Sequence, residues 1–395
     1  MKITSVDIMK VTMSKACCPD IPWNPVVVKI NTDEGISGYG EIGLVYGVAS
    51  NAGFGMAKDF APLIIGMNPF HNEAIWEKIF RKTFWGQGNG SVVMAGISAI
   101  DVALWDIKGK ALNVPCHTLL GGKTRSKLRT YASQIQFDWG TESKNLIQPE
   151  EYAEAAKKAI AEGYDCVKVD PVTMDLTGHW NGRSVSGLLQ HDQLKLAVDR
   201  LKAIREVCGD DVDIIVELHS FTDTNTAVQL GRAIEDLNCF YYEEPVMPLN
   251  TTSMSVIQKN IKIPVASGER IYTRWGYRPF FEDRSLNVIQ PDLGNCGGLT
   301  EGKKICDMGH VYDAAVQLHV CGGPLATAAA LQLEAVIPNF LIHEHHQAAL
   351  IPENRAMCKY DYQPKNGVFE VPDLPGIGQE LSEEAEKTAE KVTIQ

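Results

Sequence analysis

The sequence has no long run of apolar residues. No stretch approaches the roughly 20 apolar residues that a membrane-spanning helix needs. Residues 1–14 have a strand-like pattern and lack the sustained apolar core of a secretory signal peptide. We therefore expect no membrane partner and a cytoplasmic protein.

Basic residues are outnumbered by acidic ones. The chain carries 37 Lys and Arg against 49 Asp and Glu, which gives a formal net charge of −12 at pH 7. Negative charge of this size disfavours binding to nucleic acids or to acidic membrane surfaces. The negative charge does not exclude an anionic small-molecule substrate, because a bound cation can reverse the local charge.

Cysteine pairs at metal-binding or redox spacing are also missing. The 10 cysteines are scattered, with no Cys-x-x-Cys motif, and several lie within apolar strand-like runs. This distribution favours buried free thiols over disulfides or zinc ligands, as expected in a reducing compartment.

Residues 1–125 combine strand and helix patterns in one unit. Residues 26–30 and 36–42 are strand-like on either side of a turn, and apolar residues recur at helical spacing between 97 and 107. This part of the chain is predicted to be a compact α+β domain.

Residues 126–362 alternate short apolar strands with amphipathic helices. The strand-like runs are 129–134, 166–170, 214–218, 240–243, 263–267, 287–290, 315–319 and 340–343. Repeated βα units imply parallel strands, and eight in succession close most naturally into a barrel. A doubly wound open sheet is the rival, but the glycine-rich dinucleotide motif is absent after the first strand. The predicted class is α/β, a modified TIM (β/α) barrel with an α+β N-terminal capping domain.

Residues 363–395 no longer follow the barrel pattern. One more strand is predicted from Gly367, and the Lys/Glu-rich tail behind it is expected to be a solvated end.

Three glutamates follow consecutive apolar runs at equal spacing: Glu217, Glu243 and Glu269. Equal phase on neighbouring parallel strands places their carboxylates side by side at the catalytic mouth of a barrel. Three such carboxylates repel one another unless a cation neutralises them, and oxygen ligands select a hard ion such as Mg²⁺. The alternative is that the glutamates are solvated acids at strand ends. That explanation is adequate for a single glutamate but less so for three at equal spacing on consecutive strands.

The next two runs lead to Asp292, 23 residues after Glu269, and to His319, 27 residues after Asp292. A carboxylate one strand away can orient the imidazole and raise its basicity, which is what a general base needs. A lone histidine at a strand end is more often structural, but the pair in this phase favours catalysis.

Glu344 follows the eighth run, 25 residues after His319, and can donate or accept a hydrogen bond opposite the metal. Its neighbours His343, His345 and His346 suggest zinc. However, successive residues of a strand face opposite sides, so at most two of these four groups converge.

Three further residues share faces with the site. His219 comes two residues after Glu217 and lies on the same face of its strand. Lys168 and Asp170 share a face of the preceding strand, where Lys168 could pair with a substrate carboxylate. For His219 and Lys168 the alternative is a structural residue lining the barrel.

Several motifs together resemble the enolase superfamily, in the mandelate racemase branch and especially its galactonate dehydratase-like sugar-acid dehydratases. The resemblance covers nearly the whole chain. The motifs are the helix 98–115 with Leu-Leu-Gly-Gly at 119–122, Glu-Glu-Pro at 243–245, Gly-Glu at 268–269 and Gln-Pro-Asp at 290–292 followed by Gly-Gly at 297–298.

The resemblance implies a fold, a cofactor and a reaction. Residues 363–395 would help to complete the capping domain, whose loops 17–24 and 46–54 would close the site. A small sugar acid would lose water to give a 2-keto-3-deoxy acid. The implied roles are Mg²⁺ ligands for Glu217, Glu243 and Glu269, general base for His319 with Asp292, substrate hydrogen bonding for Glu344 and general acid for His219.

The sequence departs from the family pattern at two places. Glu217 stands where the family usually has Asp, and Lys168-Val-Asp170 stands where it usually has Lys-x-Lys. Without the second lysine a base is missing on that face, which argues against racemisation. An epimerase or cycloisomerase, or a catalytically silent metal-binding homologue, stays as an alternative.

Two other expectations concern assembly and the loop of residues 172–190. We expect a homo-oligomer. The loop contains His179, Trp180 and Arg183 and is expected to cover the site.

Overall fold

The computed structural model describes residues 1–18, 20–180, 185 and 187–395. The strands are β1 (Ile3–Lys10), β2 (Val26–Thr32), β3 (Ser37–Ile42), β4 (Lys127–Ser133), β5 (Cys166–Val169), β6 (Asp213–Glu217), β7 (Tyr241–Glu243), β8 (Val265–Ser267), β9 (Val288–Ile289), β10 (Ala315–Val316), β11 (His343–His346), β12 (Val368–Glu370) and β13 (Glu390–Ile394). The α-helices are α1 (Ser50–Ile64), α2 (Asn72–Lys82), α3 (Ser91–Leu112), α4 (Cys116–Leu119), α5 (Pro149–Ala161), α6 (His191–Cys208), α7 (Thr224–Ala233), α8 (Thr251–Asn260), α9 (Thr273–Glu282), α10 (Gly298–Val311), α11 (Pro324–Glu334), α12 (Pro352–Arg355) and α13 (Glu383–Thr388).

The N-terminal part is an antiparallel sheet in the order β13-β1-β2-β3, with α3 packed against β3. The helix lies so close that a Cβ at Gly40 would be 1.9 Å from the carbonyl oxygen of Ala99, and one at Gly38 would be 2.1 Å from that of Ala103. Only glycine allows this approach of strand and helix backbones.

The barrel strands are parallel and follow the order β10-β9-β8-β7-β6-β5-β4-β11. A parallel bridge between Val316 and Phe340 joins the two ends of this row. The predicted fold class is confirmed. Strands such as β6 are buried on both faces, which explains their continuous apolar runs.

The eighth strand lies further along the chain than predicted. Phe340 bridges to β10, whereas His343–His346 pair with β4. Strands in a barrel are staggered, so one end of a strand can contact one neighbour and the other end the next. As a result Glu344 lies within the strand.

The C-terminal residues contact both parts of the molecule. β12 pairs with β4 of the barrel, whereas β13 pairs with β1 of the N-terminal sheet. The expectation of a merely solvated tail was wrong, because residues 390–394 pair with β1, and Val392 and Ile394 pack against the N-terminal core. The boundaries 1–125, 126–362 and 363–395 stay a proposal.

All 10 cysteines are free, as predicted, and most are buried. Among the described helices, none is both long and apolar enough to cross a lipid bilayer.

Glu41 connects the N-terminal sheet to the barrel. This β3 residue is buried, and its carboxylate accepts hydrogen bonds from the backbone N–H groups of Gly323 (2.6 Å) and Ala326 (3.3 Å) at the start of α11. Burial raises the pKa of Glu41 to about 7 although both amides lower it. The Glu41 carboxyl group in this contact is therefore partly protonated at neutral pH.

This shift predicts a pH-dependent stability. An acid whose pKa is higher in the folded than in the unfolded state binds its proton more tightly when folded. The contribution of Glu41 to the free energy of unfolding therefore falls as pH rises from about 4.5 to 7, by up to about 3 kcal/mol. We expect wild-type Tm to drop more than that of Glu41→Gln between pH 5 and pH 8, measured by calorimetry. Parallel Tm profiles would contradict the assignment.

Candidate active site

The three predicted glutamates lie together at the C-terminal ends of their strands. β6 and β7 end at Glu217 and Glu243, which are direct partners in the parallel register, and Glu269 follows β8. One carboxylate oxygen from each lies within 4.8 Å of the others. The cluster could therefore hold a metal ion between three adjacent strands.

The charges of this cluster are incompletely balanced. Glu243 Oε2 is buried and has no hydrogen-bond partner among the described residues. Burial and the neighbouring Glu217 carboxylate raise the pKa of Glu243 well above its usual range. Burial also raises the pKa of Glu269. An acceptor left bare in a group of three carboxylates fits a hard divalent cation.

Lys168 supplies positive charge to the same cluster. Its buried Nζ lies 2.6 Å from Glu243 Oε1, 3.2 Å from Glu217 Oε2 and 2.9 Å from Glu344 Oε1. Although burial alone lowers the pKa of a lysine, these carboxylates raise that of Lys168 well above its usual range. Through these ion pairs Lys168 links two predicted metal ligands, Glu217 and Glu243, to Glu344.

Glu344 is held from three sides. Oε1 accepts hydrogen bonds from Ser133 Oγ (2.7 Å) and from Lys168, and Oε2 accepts one from the backbone N–H of Val320 (2.9 Å). Burial raises the pKa of Glu344, but Lys168 and His319 outweigh it and lower the value to about 2. The side chain is thus an oriented carboxylate facing the barrel mouth.

His319 and Asp292 form the predicted pair. His319 Nδ1 lies 2.7 Å from Asp292 Oδ2, and its Nε2 lies 3.2 Å from Glu269 Oε2. Asp292 Oδ1 accepts a hydrogen bond from the Gly294 amide at 2.6 Å. The fixed carboxylate orients the imidazole and leaves Nε2 directed at the glutamate cluster.

His219 and Asp170 form a second pair of the same kind. His219 Nδ1 lies 2.7 Å from Asp170 Oδ2, and Asp170 Oδ1 accepts hydrogen bonds from the amides of Val172 and Thr173, both at 2.8 Å. His219, separated from the end of β6 by Leu218, adopts a left-handed backbone with φ 48°. Such a conformation is uncommon for a non-glycine residue and re-aims the side chain at the end of the strand.

The two histidines lie across the barrel from each other. β6, which precedes His219, and β10, which precedes His319, are separated by three strands on either side of the barrel. The carboxylate cluster from β6, β7 and β8 lies on one arc between them. A small molecule bound at the cluster could therefore contact one imidazole on each side.

Two residues that contact His219 or the glutamate cluster, Gln134 and Arg270, were not predicted from the sequence. Gln134 Nε2 lies 3.5 Å from His219 Nε2, and Arg270 forms ion pairs with Glu269 and Glu244. Gln134 ends the first predicted strand run, so the strand-end rule that found the acids could also have found it. Nothing in the sequence distinguished Arg270 beyond its place next to Glu269.

Loops from the N-terminal part reach the barrel mouth. Trp23 bridges to Tyr46, and its indole Nε1 donates to the carbonyl oxygen of Cys321 at 3.1 Å. The loop predicted as 46–54 is shorter, because α1 begins at Ser50. Asn51 and Gly53 are weak helix formers, so packing of the buried Gly53 and Phe54 explains the earlier start better than helix propensity does.

The loop of residues 172–190 contacts the site through Trp180, whose ring centroid lies 5.1 Å from that of His219. His179 is exposed and lies 3.7 Å from Asp20. Arg183, which was expected to help cover the site, lies outside the described residues.

Two of the three histidines around Glu344 lie on the opposite face of β11 and have their partners there. His343 Nδ1 lies 2.6 Å from Glu334 Oε2, and His345 Nδ1 lies 2.6 Å from the hydroxyl of Tyr164. This separation agrees with the argument from strand alternation against a zinc site.

Comparison with known families matches both parts of the chain. Residues 10–121 match the mandelate racemase / muconate lactonizing enzyme N-terminal domain, and residues 151–385 match the enolase C-terminal domain-like family. The chain belongs to the enolase superfamily. The resemblance inferred from the motifs is confirmed.

Curated members of the superfamily are similar over most of this chain. It is 32% identical over 370 residues to the D-xylonate dehydratase of Haloferax volcanii, covering 92% of this chain and 84% of the relative. It is also 32% identical over 363 residues to the D-galactonate dehydratase of Variovorax paradoxus, covering 90% and 88%. A crystal structure of an enolase superfamily member from Salmonella Typhimurium has a TM-score of 0.96 and 59% identity, with 100% of both chains covered.

Proposed function

We propose that this enolase-superfamily chain is a Mg²⁺-dependent hydro-lyase that dehydrates a sugar acid, an aldonate of the galactonate type or a related one, to a 2-keto-3-deoxy acid. The observation that carries the proposal is the pair of carboxylate-oriented histidines across the barrel from each other. The names of the curated relatives support the same substrate class.

Binding starts from the charge on the substrate. Glu217, Glu243 and Glu269 would hold Mg²⁺, which supplies positive charge to the substrate carboxylate as negative charge builds up on it. Lys168 adds a protonated ammonium beside the same cluster, and Glu344 accepts a hydrogen bond from the substrate at the other side of Lys168. These groups would hold the substrate carboxylate so that the α-carbon lies between His319 and His219.

His319 is assigned to remove the α-proton. Its Nδ1 is held by Asp292, so Nε2 is the nitrogen that accepts the proton, and Asp292 stabilises the resulting imidazolium. His219 is assigned to protonate the departing β-hydroxyl from the opposite side. Asp170 holds its Nδ1 in the same way. Loss of water leaves an enol, which tautomerises to the 2-keto product.

Epimerisation is the second candidate, and the His219–Asp170 pair is the observation that favours it. The argument that Asp170 leaves one face without a base loses force, because Asp170 orients an imidazole on that face. Two opposed imidazoles could remove and return the α-proton. Recovered substrate inverted at C2 would identify this reaction.

A screen of aldonic and aldaric acids tests the proposal. Semicarbazide detects 2-keto products, and each acid is incubated with Mg²⁺ or with excess EDTA. We expect keto product from at least one aldonate with Mg²⁺ and none with EDTA. Turnover that is unaffected by EDTA, or no turnover of any acid in the panel, would contradict the proposal.

His219→Gln separates elimination from proton abstraction. The variant should lose dehydration by about a hundredfold or more, because no acid assists departure of the hydroxyl. Exchange of the α-proton with deuterium oxide, followed by NMR, would persist where His319 can return a deuteron. His191→Gln, an exposed position on α6, is the matched control. Dehydration at the wild-type rate by His219→Gln would remove His219 from this role.

Two further inferences rest on the sequence and the thiols. Ten free cysteines suit a reducing compartment, so we infer a cytoplasmic enzyme. We also infer a homo-oligomer, which light scattering coupled to size-exclusion chromatography measures directly.

A further inference from the structure

His346 is a buried histidine at the barrel mouth to which the proposed reaction gives no role. It comes two residues after Glu344 on β11, so the two side chains lie on the same face of the strand. His343 and His345 lie on the other face, against Glu334 and Tyr164. His346 is therefore the one residue of this histidine group that shares a face with a substrate-binding carboxylate.

The tautomer of His346 follows from its backbone contact. The amide N–H of Ala348 donates a hydrogen bond to His346 Nδ1 at 3.0 Å. A backbone amide can only donate, so Nδ1 carries the lone pair and the ring proton lies on Nε2. Burial lowers the pKa of His346 to about 3, so the ring stays neutral. His346 is thus a neutral donor with a defined direction.

The surroundings of the ring place it between the catalytic groups and the N-terminal loop. The charges of Glu344, Lys168 and both catalytic histidines act on it. On the other side, the ring of Tyr46 lies edge-on at 6.4 Å between centroids. The ring therefore lies between the catalytic groups and Tyr46 of the N-terminal loop.

We propose that His346 is a specificity-determining residue that donates a hydrogen bond from Nε2 to a hydroxyl group of the sugar-acid chain. The inference rests on the proposed dehydratase function and narrows its substrate class. A neutral donor pairs well with a hydroxyl oxygen. It offers no opposite charge to a second carboxylate, so this position favours aldonic over aldaric acids.

Two substitutions of His346 separate hydrogen bonding from packing. His346→Gln keeps an N–H donor at a similar reach, whereas His346→Leu keeps the bulk and removes the donor. With the aldonate that the wild type consumes, kcat/KM should fall about tenfold or more in His346→Leu, mainly through KM, and about threefold or less in His346→Gln. His345→Gln, the same change on the other face of β11, is the matched control.

Deoxy analogues of that aldonate show whether a hydroxyl is what His346 recognises. The wild type should prefer the parent over one deoxy analogue, and His346→Leu should lose that preference. Equal loss on parent and all analogues, or wild-type kinetics in His346→Leu, would overturn the inference while leaving the dehydratase assignment intact. If the wild type consumes no sugar acid, the proposed dehydratase function and the inference on His346 are both contradicted.

A measurement on the unmodified enzyme covers the case in which the variants fail to fold. In long-range ¹H–¹⁵N NMR spectra of histidine-labelled protein, His346 should show the Nε2-protonated neutral tautomer. Its Nε2 signal should shift when Mg²⁺ and the consumed aldonate are added. An Nδ1-protonated ring, or an Nε2 signal unmoved at saturating aldonate, would overturn the inference.

Discussion

Replacing His319 with asparagine is expected to lower the rates of dehydration and of substrate α-proton exchange, each by about a thousandfold or more. The reason is that His319 Nε2 is the base directed at the carboxylate cluster, with Nδ1 already held by Asp292. Asparagine can keep the contact to Asp292 through its amide but cannot accept the proton. NMR in deuterium oxide follows the α-proton signal and the keto product together.

His310→Asn, an exposed position on α10, makes the same chemical change away from the site and should leave both rates unchanged. Retained α-proton exchange in His319→Asn would show that another group abstracts the proton. His219 would then be the next base to test, because it has the same kind of carboxylate partner.

Glu243→Gln is expected to weaken Mg²⁺ binding by at least about a hundredfold and to stop turnover. Removing residues that merely support a metal ligand costs roughly 10–100-fold in affinity, so replacing a ligand should cost no less. The substitution keeps the shape of the side chain but removes one of the three carboxylate groups and places an amide where Oε2 has no partner among the described residues. Isothermal titration calorimetry measures the affinity.

The matched control is Glu282→Gln on the surface of α9, where Arg278 is the partner. It should bind Mg²⁺ as the wild type does. Wild-type affinity in Glu243→Gln would remove Glu243 from the ligand set and leave Lys168 as the neutralising group of the cluster.

Strand phase carried most of the information about the site. Residues at the C-terminal ends of parallel strands meet at one mouth, so equal spacing of Glu217, Glu243 and Glu269 was enough to predict their proximity. The His319–Asp292 contact followed from the same rule applied to the next two strands. In both cases the relevant geometry is set by backbone pairing, which the sequence pattern reflects.

Contacts that depend on side-chain reach or on local backbone geometry were not predictable in this way. The His219–Asp170 contact needs the left-handed turn after β6, and the position of Lys168 depends on its long side chain reaching three carboxylates. The edge strand β13 was missed because it is short and begins with two charged residues, so that Val392 and Ile394 are its whole apolar face. Its pairing comes from the backbone of β1, which the tail sequence alone does not reveal.

The fate of the substrate hydrogen at C2 tests the central claim most directly. The wild-type enzyme is incubated with Mg²⁺ and the aldonate it consumes, in deuterium oxide, and the product is examined by NMR. The account predicts a 2-keto-3-deoxy acid that has lost the original C2 hydrogen and carries one solvent deuterium at C3. Recovery of the C2 epimer of the substrate without keto product would contradict it, as would transfer of the original C2 hydrogen to C3 of the product.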